Sequence, residues 1–382
     1  MKEALVIGGS NGIGLAITLE LQKQGYLVHV VDKAQNDLFD NSNDIHFEQI
    51  NLLSTDFSFL EHYKSIDALI VTAGFGRIAP FEEILEQEIQ NNFQVNSISV
   101  MKVLHFYFPR MKQKEPFRCA VMGSIAGLVS SPLFATYGAT KAAVCNGIES
   151  LNIELEIAGT ENRILNVSPG SIKGTKFNGG TNDLSQTQAL AQAIIDKMEQ
   201  RQTLYIPQFE EVYKGVLERY HDNPHQFGLH SYQYKTESER ASSKPQLKIG
   251  YLSGTFDLFH IGHLNLLRRA KQYCDYLIVG VHKDASHKGK SAFISFEERC
   301  EIVRSIKYVD KVIPSEKEDC DVYLKGIVKY DYLFVGSDYK GTERFNRYEQ
   351  IFADKGVEIV YFPYTQGTSS SQLRDALNSV LL

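Results

Sequence analysis

The chain has 382 residues, with 40 lysines and arginines against 46 aspartates and glutamates, and a formal charge of −6. At roughly 150 residues per domain this length holds two or three domains, and 43% hydrophobic with 23% charged residues is an ordinary soluble composition. The acidic balance argues against a dedicated nucleic-acid binder, and no apolar run approaches the ~20 residues of a membrane span. Met1 runs straight into a strand and its turn, which leaves no room for a signal peptide. Five scattered cysteines (Cys119, Cys145, Cys274, Cys300, Cys320) lack metal-ligand spacing and read as reduced, buried fillers. A cytoplasmic α/β protein is expected, with no resident metal, no nucleic-acid partner and no membrane partner.

In chain order, an apolar strand at 4–7 meets the turn Gly8-Gly9-Ser10-Asn11-Gly12-Ile13-Gly14 and an amphipathic helix. Strand-like runs follow at 28–31, 68–71, 120–122 and 164–167, separated by helical stretches, so repeated βα units and a parallel sheet are predicted. Tyr205-Ile206-Pro207 looks like a last strand and 210–220 like a helix. Residues 222–246 are rich in His, Gln, Ser, Glu and Lys without an apolar period, the composition of a linker. A second strand starts at 248–252 and turns through Ser253-Gly254-Thr255-Phe256-Asp257; further strands fall at 276–281, 311–313, 332–335 and 358–362. The expected architecture is α/β: two Rossmann-like, doubly wound parallel-sheet domains at 1–207 and 247–382, joined by a helix and linker at 208–246.

Glycines in the first turn permit a tight bend and let backbone N–H groups approach a pyrophosphate at the positive end of the helix. Asp32 ends the second strand about twenty residues on, where a carboxylate can accept hydrogen bonds from an adenosine ribose. Tyr137 and Lys141 are four apart on a predicted helix and share one side. Ser124 sits just past the strand at 120–122, and Asn96 within an earlier helix. A phenol exchanging hydride chemistry with a carbonyl must lose or donate its proton near neutral pH. A nearby ammonium lowers its pKa by favouring the phenolate, and a serine hydroxyl can hold the carbonyl oxygen.

With Thr72-Ala73-Gly74, Tyr137-Gly138-Ala139-Thr140-Lys141 and Ser168-Pro169-Gly170, residues 1–207 resemble the short-chain dehydrogenase/reductases. The resemblance implies a catalytic tetrad of Asn96, Ser124, Tyr137 and Lys141, with Lys141 also holding the nicotinamide ribose and Asn96 supporting a water in the proton relay. It implies a cofactor site of Gly8, Ser10, Asn11, Gly12, Ile13, Gly14, Asp32, Ala73, Gly74, Pro169 and Gly170. Three positions depart from the family: Thr72 replaces an Asn, Asn51 replaces an Asp near the adenine, and Thr175 falls one residue late after Pro169-Gly170. Asp32 repels a 2′-phosphate and favours NAD(H); Lys33 could attract one, which leaves NADP(H) as the alternative. The short loop after Gly170 suggests a small substrate.

In the second half, His260 and His263 are separated by two residues at a helix start that follows Gly254-Thr255-Phe256-Asp257. Metal binding is the rival reading, but no third ligand has useful spacing. Two donors aimed at one phosphate beside a helix N-terminus would stabilise charge on an α-phosphate. Together with Ser295-Phe296-Glu297-Glu298-Arg299, Tyr308-Val309-Asp310 and Gly336-Ser337-Asp338-Tyr339, this half resembles the glycerol-3-phosphate type of cytidylyltransferase within the HxGH nucleotidyltransferases. The resemblance implies that His260 and His263 contact the triphosphate and that Lys288 and Lys290 neutralise phosphate charge. It places Gly254, Thr255, Phe256, Arg299, Gly336, Asp338, Thr365, Ser369 and Ser370 around the nucleotide. Tyr364 and Lys307 stand where the family carries Arg, and Lys does not reproduce a guanidinium fork.

The joint expectation is a bifunctional enzyme, forming a homo-oligomer. It reduces a ketose phosphate with NAD(P)H to an alditol phosphate and couples an alditol phosphate to CTP, with Mg2+ on the triphosphate. The CDP-alditol would serve cell-surface polymer synthesis. Two alternatives stand beside it: a reductase acting on an unrelated or nucleotide-linked intermediate, and a non-catalytic NAD-binding or dimerising module.

Overall fold

A computed structural model of the chain describes residues 1–40, 42–175, 177, 182–238, 247–283, 292–315, 318–363, 372–374 and 376–377. It divides into two compact units, Met1–Pro245 and Gln246–Leu382.

In the first unit, β1 (Lys2–Ile7), β2 (Tyr26–Asp32), β3 (Ile45–Gln49), β4 (Ala68–Val71), β5 (Arg118–Met122), β6 (Ile164–Val167) and β7 (Leu204–Tyr205) form one sheet. Their spatial order is β3-β2-β1-β4-β5-β6-β7, with every pair parallel. Parallel strands need helical crossovers, and helices on both faces bury both faces of the strands. Alternation along β1 shows it: Leu5 and Ile7 pack with Val103, Leu104 and Tyr107 of α3 (Ser99–Met111) and Val144 and Ile148 of α4 (Ala135–Ile157). Ala4 and Val6 face the other way, onto Leu15, Ile17 and Leu21 of α1 (Gly12–Lys23) and Ile194 and Met198 of α5 (Leu184–Glu199). The remaining helix before α3 is α2 (Glu86–Phe93).

The stretch read as a linker is helical for much of its length. α6 (Lys214–Asp222) is followed by α7 (Pro224–Glu237), which starts with proline in its first turn and with Asn223 Oδ1 accepting from Gln226 N at 2.9 Å. α7 lies in the first unit and packs on the loop before α4, where Lys235 Nζ donates to Ser131 Oγ and the Pro132 carbonyl at 2.7 and 2.8 Å. No residue of α7 is fully buried. That explains its missing apolar period, because an amphipathic stripe marks only a helix that buries one.

In the second unit, β8 (Ile249–Gly254), β9 (Tyr276–His282), β10 (Lys311–Ser315), β11 (Tyr332–Gly336) and β12 (Glu358–Phe362) lie in the order β10-β9-β8-β11-β12, all parallel. Between them run α8 (Ile261–Tyr273), α9 (Phe296–Arg304), α10 (Asp319–Leu324) and α11 (Glu343–Phe352). Strand order reverses between β8 and β11, and ligands of open α/β sheets bind at the carboxyl ends of the strands there.

Candidate active sites

The β1–α1 turn of the first unit is held by close backbone contact. Gly8 has φ of +91°, and a Cβ at Gly14 would lie 2.1 Å from the Gly8 carbonyl oxygen. Thr72 Oγ1 donates to the same carbonyl at 2.9 Å, so the departure from Asn at this position keeps the turn anchored. Asp32 accepts from Ser10 N at 3.0 Å and from Lys33 N at 2.7 Å, and Asn36 Nδ2 donates to the Ser10 carbonyl at 2.9 Å. Burial raises the Asp32 pKa against the pull of those N–H groups.

The four expected catalytic residues converge. α2 runs into α3 through a π-helical turn, Gln94–Ile98, a widening that recurs at functional sites. Asn96 sits in that turn, fully buried: its Oδ1 accepts from Phe75 N at 3.0 Å, and its Nδ2 donates to the Phe75 carbonyl and Thr140 Oγ1. Lys141, one turn after Tyr137 on α4, donates from Nζ to the Met122 carbonyl at 2.7 Å, and Nζ lies 5.7 Å from the Tyr137 ring centroid. A Cβ at Gly74 would come within 3.2 Å of Asn96 Oδ1 and 3.3 Å of Lys141 Nζ, so Ala73-Gly74 forms the floor of the cluster. Ser124 is the hydrogen-bond partner of the Tyr137 hydroxyl, and Ile125 N donates to the Pro169 carbonyl at 3.0 Å. Phe134 stacks on Tyr137 with centroids 4.2 Å apart.

One electrostatic expectation is corrected. Burial pushes the Tyr137 phenol up to about 12, with the Ser124 hydrogen bond pulling the other way. Burial also brings Lys141 down to about 8. Desolvation outweighs the stabilisation of phenolate that the four-residue spacing suggested. Burial thus moves both groups toward their neutral forms.

Two neighbours escaped the sequence reading. A Cβ at Gly170 would lie 1.5 Å from Tyr213 Oη, so Tyr213, just before α6, closes over the loop after β6. Asn182 bonds to the β1–α1 turn. Neither carries a local motif; both arrive through loops distant in sequence. The residues present fit a nicotinamide dinucleotide: a glycine turn at a helix start, a carboxylate closing β2, and an ammonium above Gly74.

The β8–α8 turn of the second unit is held by side chains. Phe256 and Leu258 have φ of 54° and 48°, left-handed conformations that cost non-glycine residues energy and cluster at functional sites. His260 caps α8: its Nδ1 accepts from Gly262 N at 3.0 Å. With Nδ1 an acceptor, the neutral ring carries its proton on Nε2, and burial lowers its pKa. The His263 ring lies 4.0 Å away, centroid to centroid. Asp257, quoted in the motif without a role, is buried and accepts from Phe293 N, Ile294 N and Arg374 Nη2 at 2.9–3.1 Å.

Arg299 is fully buried, and its guanidinium donates to the carbonyls of Ile294, Thr255, His282 and Lys283. It ties the histidine turn to the end of β9 through these carbonyls. Gly336 and Asp338 lie at the carboxyl end of β11, where a Cβ at Gly336 would meet Asp338 Oδ1 at 2.3 Å. Lys288, Lys290, Thr365, Ser369 and Ser370 lie outside the described residues, as does Tyr364. Among the described residues no group of three or more His, Cys, Asp or Glu could hold a metal ion, and no helix is long and apolar enough to cross a membrane.

Comparison with known proteins assigns the halves separately. The family model for short chain dehydrogenases matches residues 2–186, and the cytidylyltransferase-like model matches 251–376. The glycerol-3-phosphate cytidylyltransferase of Bacillus subtilis is 38% identical over 129 residues, which are 32% of this chain and 92% of that protein. The probable short-chain type dehydrogenase/reductase VdlC of Helicobacter pylori is 29% identical over 177 residues, 44% of this chain and 65% of the relative. A short-chain dehydrogenase structure from Streptomyces avermitilis superposes with a TM-score of 0.51 at 21% identity, covering 63% of this chain and 98% of its own, a likeness of fold. The chain is thus an enzyme with two parts in one polypeptide: a first half that matches the short chain dehydrogenase model and a second half that belongs to the cytidylyltransferase family.

Proposed function

We propose that the first unit reduces a ketose phosphate with NAD(H) to an alditol phosphate and that the second joins an alditol phosphate to CMP, releasing pyrophosphate. The observation that carries this reading is the pairing itself. A complete Asn96–Ser124–Tyr137–Lys141 cluster shares a chain with a domain whose relative is named for glycerol 3-phosphate. Glycerol 3-phosphate is an alditol phosphate, the kind of compound that reduction of a ketose phosphate yields. The product would be a CDP-alditol, a donor for cell-surface polymers.

A bound nicotinamide supplies the hydride. Ser124 holds the substrate carbonyl, and the Tyr137 hydroxyl gives its proton to the carbonyl oxygen. Lys141 favours the phenolate left behind, and Asn96 fixes the backbone at Phe75 that walls the cluster. Asp32 supports NAD(H) over NADP(H), because its carboxylate repels a 2′-phosphate. In the second unit an oxygen of the acceptor phosphate attacks the α-phosphorus of CTP, and the bond to the bridging oxygen of pyrophosphate breaks. His260 Nε2–H and His263 donate to the charge that builds there. Mg2+ carried in on the triphosphate offsets its charge.

The test screens ketose phosphates with NADH and NADPH by absorbance, then adds CTP and measures pyrophosphate. Reduction of a ketose phosphate whose alditol product then supports CTP-dependent pyrophosphate release is the expected result. If an alditol phosphate made elsewhere serves with CTP while no ketose phosphate is reduced, the coupling of the two steps fails.

A further inference from the structure

The start of α1 presents backbone N–H groups that have no acceptor within the helix, the feature that makes such a start an anion site. Asn11 occupies the capping position in an extended conformation, but its side chain makes no capping bond. The Gly12 N–H is taken by a residue 170 positions away: it donates to Asn182 Oδ1 at 3.0 Å. Asn182 Nδ2 donates in turn to Asn11 Oδ1 at 3.0 Å, so one amide bridges two residues of the turn.

The contact is braced on both sides. Asp183 N donates to the Gly174 carbonyl at 3.1 Å, and Asp183 caps α5 by accepting from Ser185 N at 3.0 Å. Thr175 lies against the same glycine, 3.3 Å from where a Cβ on Gly12 would be. Gly12 itself has φ of +52°, a left-handed conformation that glycine adopts without side-chain strain.

We propose that Asn182 sets the affinity of the reductase unit for its dinucleotide: its amide oxygen holds the N–H that a cofactor phosphate oxygen takes, and the cofactor binds by displacing it. The inference rests on the dinucleotide reading of this unit. An anionic phosphate oxygen is the stronger acceptor, since charge-assisted hydrogen bonds are roughly twice as strong as neutral ones, and the helix dipole favours it further. Displacement is therefore favourable, but the affinity is reduced by whatever the two amide hydrogen bonds contribute.

The experiment measures NADH binding to the full-length protein by the change in NADH fluorescence, independently of turnover, with CTP-dependent pyrophosphate release as a check on folding. Asn182→Ala removes the competing acceptor, and its NADH Kd should fall about three- to tenfold. Asn182→Asp places a carboxylate on Gly12 N and opposes the pyrophosphate, and its Kd should rise by about tenfold or more. Weaker binding by Asn182→Ala would overturn the proposal and assign Asn182 to gripping the bound cofactor. Unchanged Kd in both variants would overturn it too. Wild-type protein that binds neither NADH nor NADPH would instead bring down the dinucleotide reading beneath it.

Discussion

In the reductase unit the turn between β1 and α1 is made of backbone. Gly14 lets the helix lie against the Gly8 carbonyl, Thr72 ties that carbonyl down, and the first helical N–H is bonded from a distant loop. In the transferase unit the corresponding turn between β8 and α8 is made of side chains. The His260 ring takes the Gly262 N–H, two non-glycine residues hold left-handed backbone, and buried Asp257 fastens the neighbouring loop. In the proposed reading both present a helix start to a phosphate. The first keeps its donors in the main chain, where they can bind but not titrate. The second uses one donor to orient an imidazole, a group that can titrate. On the proposed reading the reductase keeps its acid elsewhere, on α4, whereas the transferase keeps recognition and charge stabilisation in one turn.

The most disruptive test of this contrast is Tyr137→Phe. A positioned general acid contributes about 10²–10⁴ in rate, and steady-state ketone reduction should fall by that order while CTP-dependent pyrophosphate release is unchanged. Equal loss of both activities would mean that the two sites are not separate. His263→Ala is the mirror experiment. Removing one donor to a developing charge costs about 10²–10³, so pyrophosphate formation should drop by that factor with reduction intact. Stoichiometric zinc in the purified protein, lost with either histidine, would favour the metal reading. Asp32→Ala acts on affinity alone. Hydrogen bonds to a charged group are worth about 1.5–3 kcal/mol, so the ratio of kcat/KM for NADH over NADPH should shrink by about ten- to a hundredfold. A wild-type enzyme that uses NADPH at least as well as NADH would point to Lys33 instead.

The central strands were legible because their four-residue runs are apolar on both faces, as at 68–71, or nearly so, as at 164–167 with its one buried polar residue Asn166, and burial on both sides leaves that signature. β3 was not. It lies at the sheet edge, where buried Ile45 and half-buried Phe47 alternate with His46 and Glu48. The meeting of Tyr137 and Lys141 was readable from spacing on α4 and that of Ser124 from its place just past β5, whereas Asn96 entered through the family resemblance. The electrostatics of the tetrad were not readable, because spacing reports that Lys141 is near Tyr137 but not that both are dehydrated. Asn182 and Tyr213 reach their sites through loop closure across 170 and 43 residues, which no local pattern encodes.

The smallest expected effect is also the one that separates the two turns without mutation. Lys141, brought down to about 8 by burial, loses its charge as pH rises through that value. Tyr137, pushed up to about 12, stays protonated there. Ketone reduction measured with saturating NADH should therefore fall about tenfold per pH unit above about 8, one proton being lost from the acting form. Unfolding would not account for the loss. Between about 8 and the ordinary 10.5 the unfolded chain binds more protons at this lysine than the folded one, so this group adds stability as pH rises. The transferase should lose activity at the opposite end. His260 works as a neutral ring whose Nδ1 accepts from Gly262 N, and burial already lowers its pKa. Protonation would set an N–H against that N–H and turn the ring out of its cap. Pyrophosphate release should hold through neutral and alkaline pH and fall only on acidification below the usual histidine range. One preparation assayed for both reactions across the same buffers reads the difference directly: opposite limbs follow from a backbone turn served by a distant lysine and a side-chain turn served by its own histidine. Two superimposable profiles would mean that one shared group governs both sites.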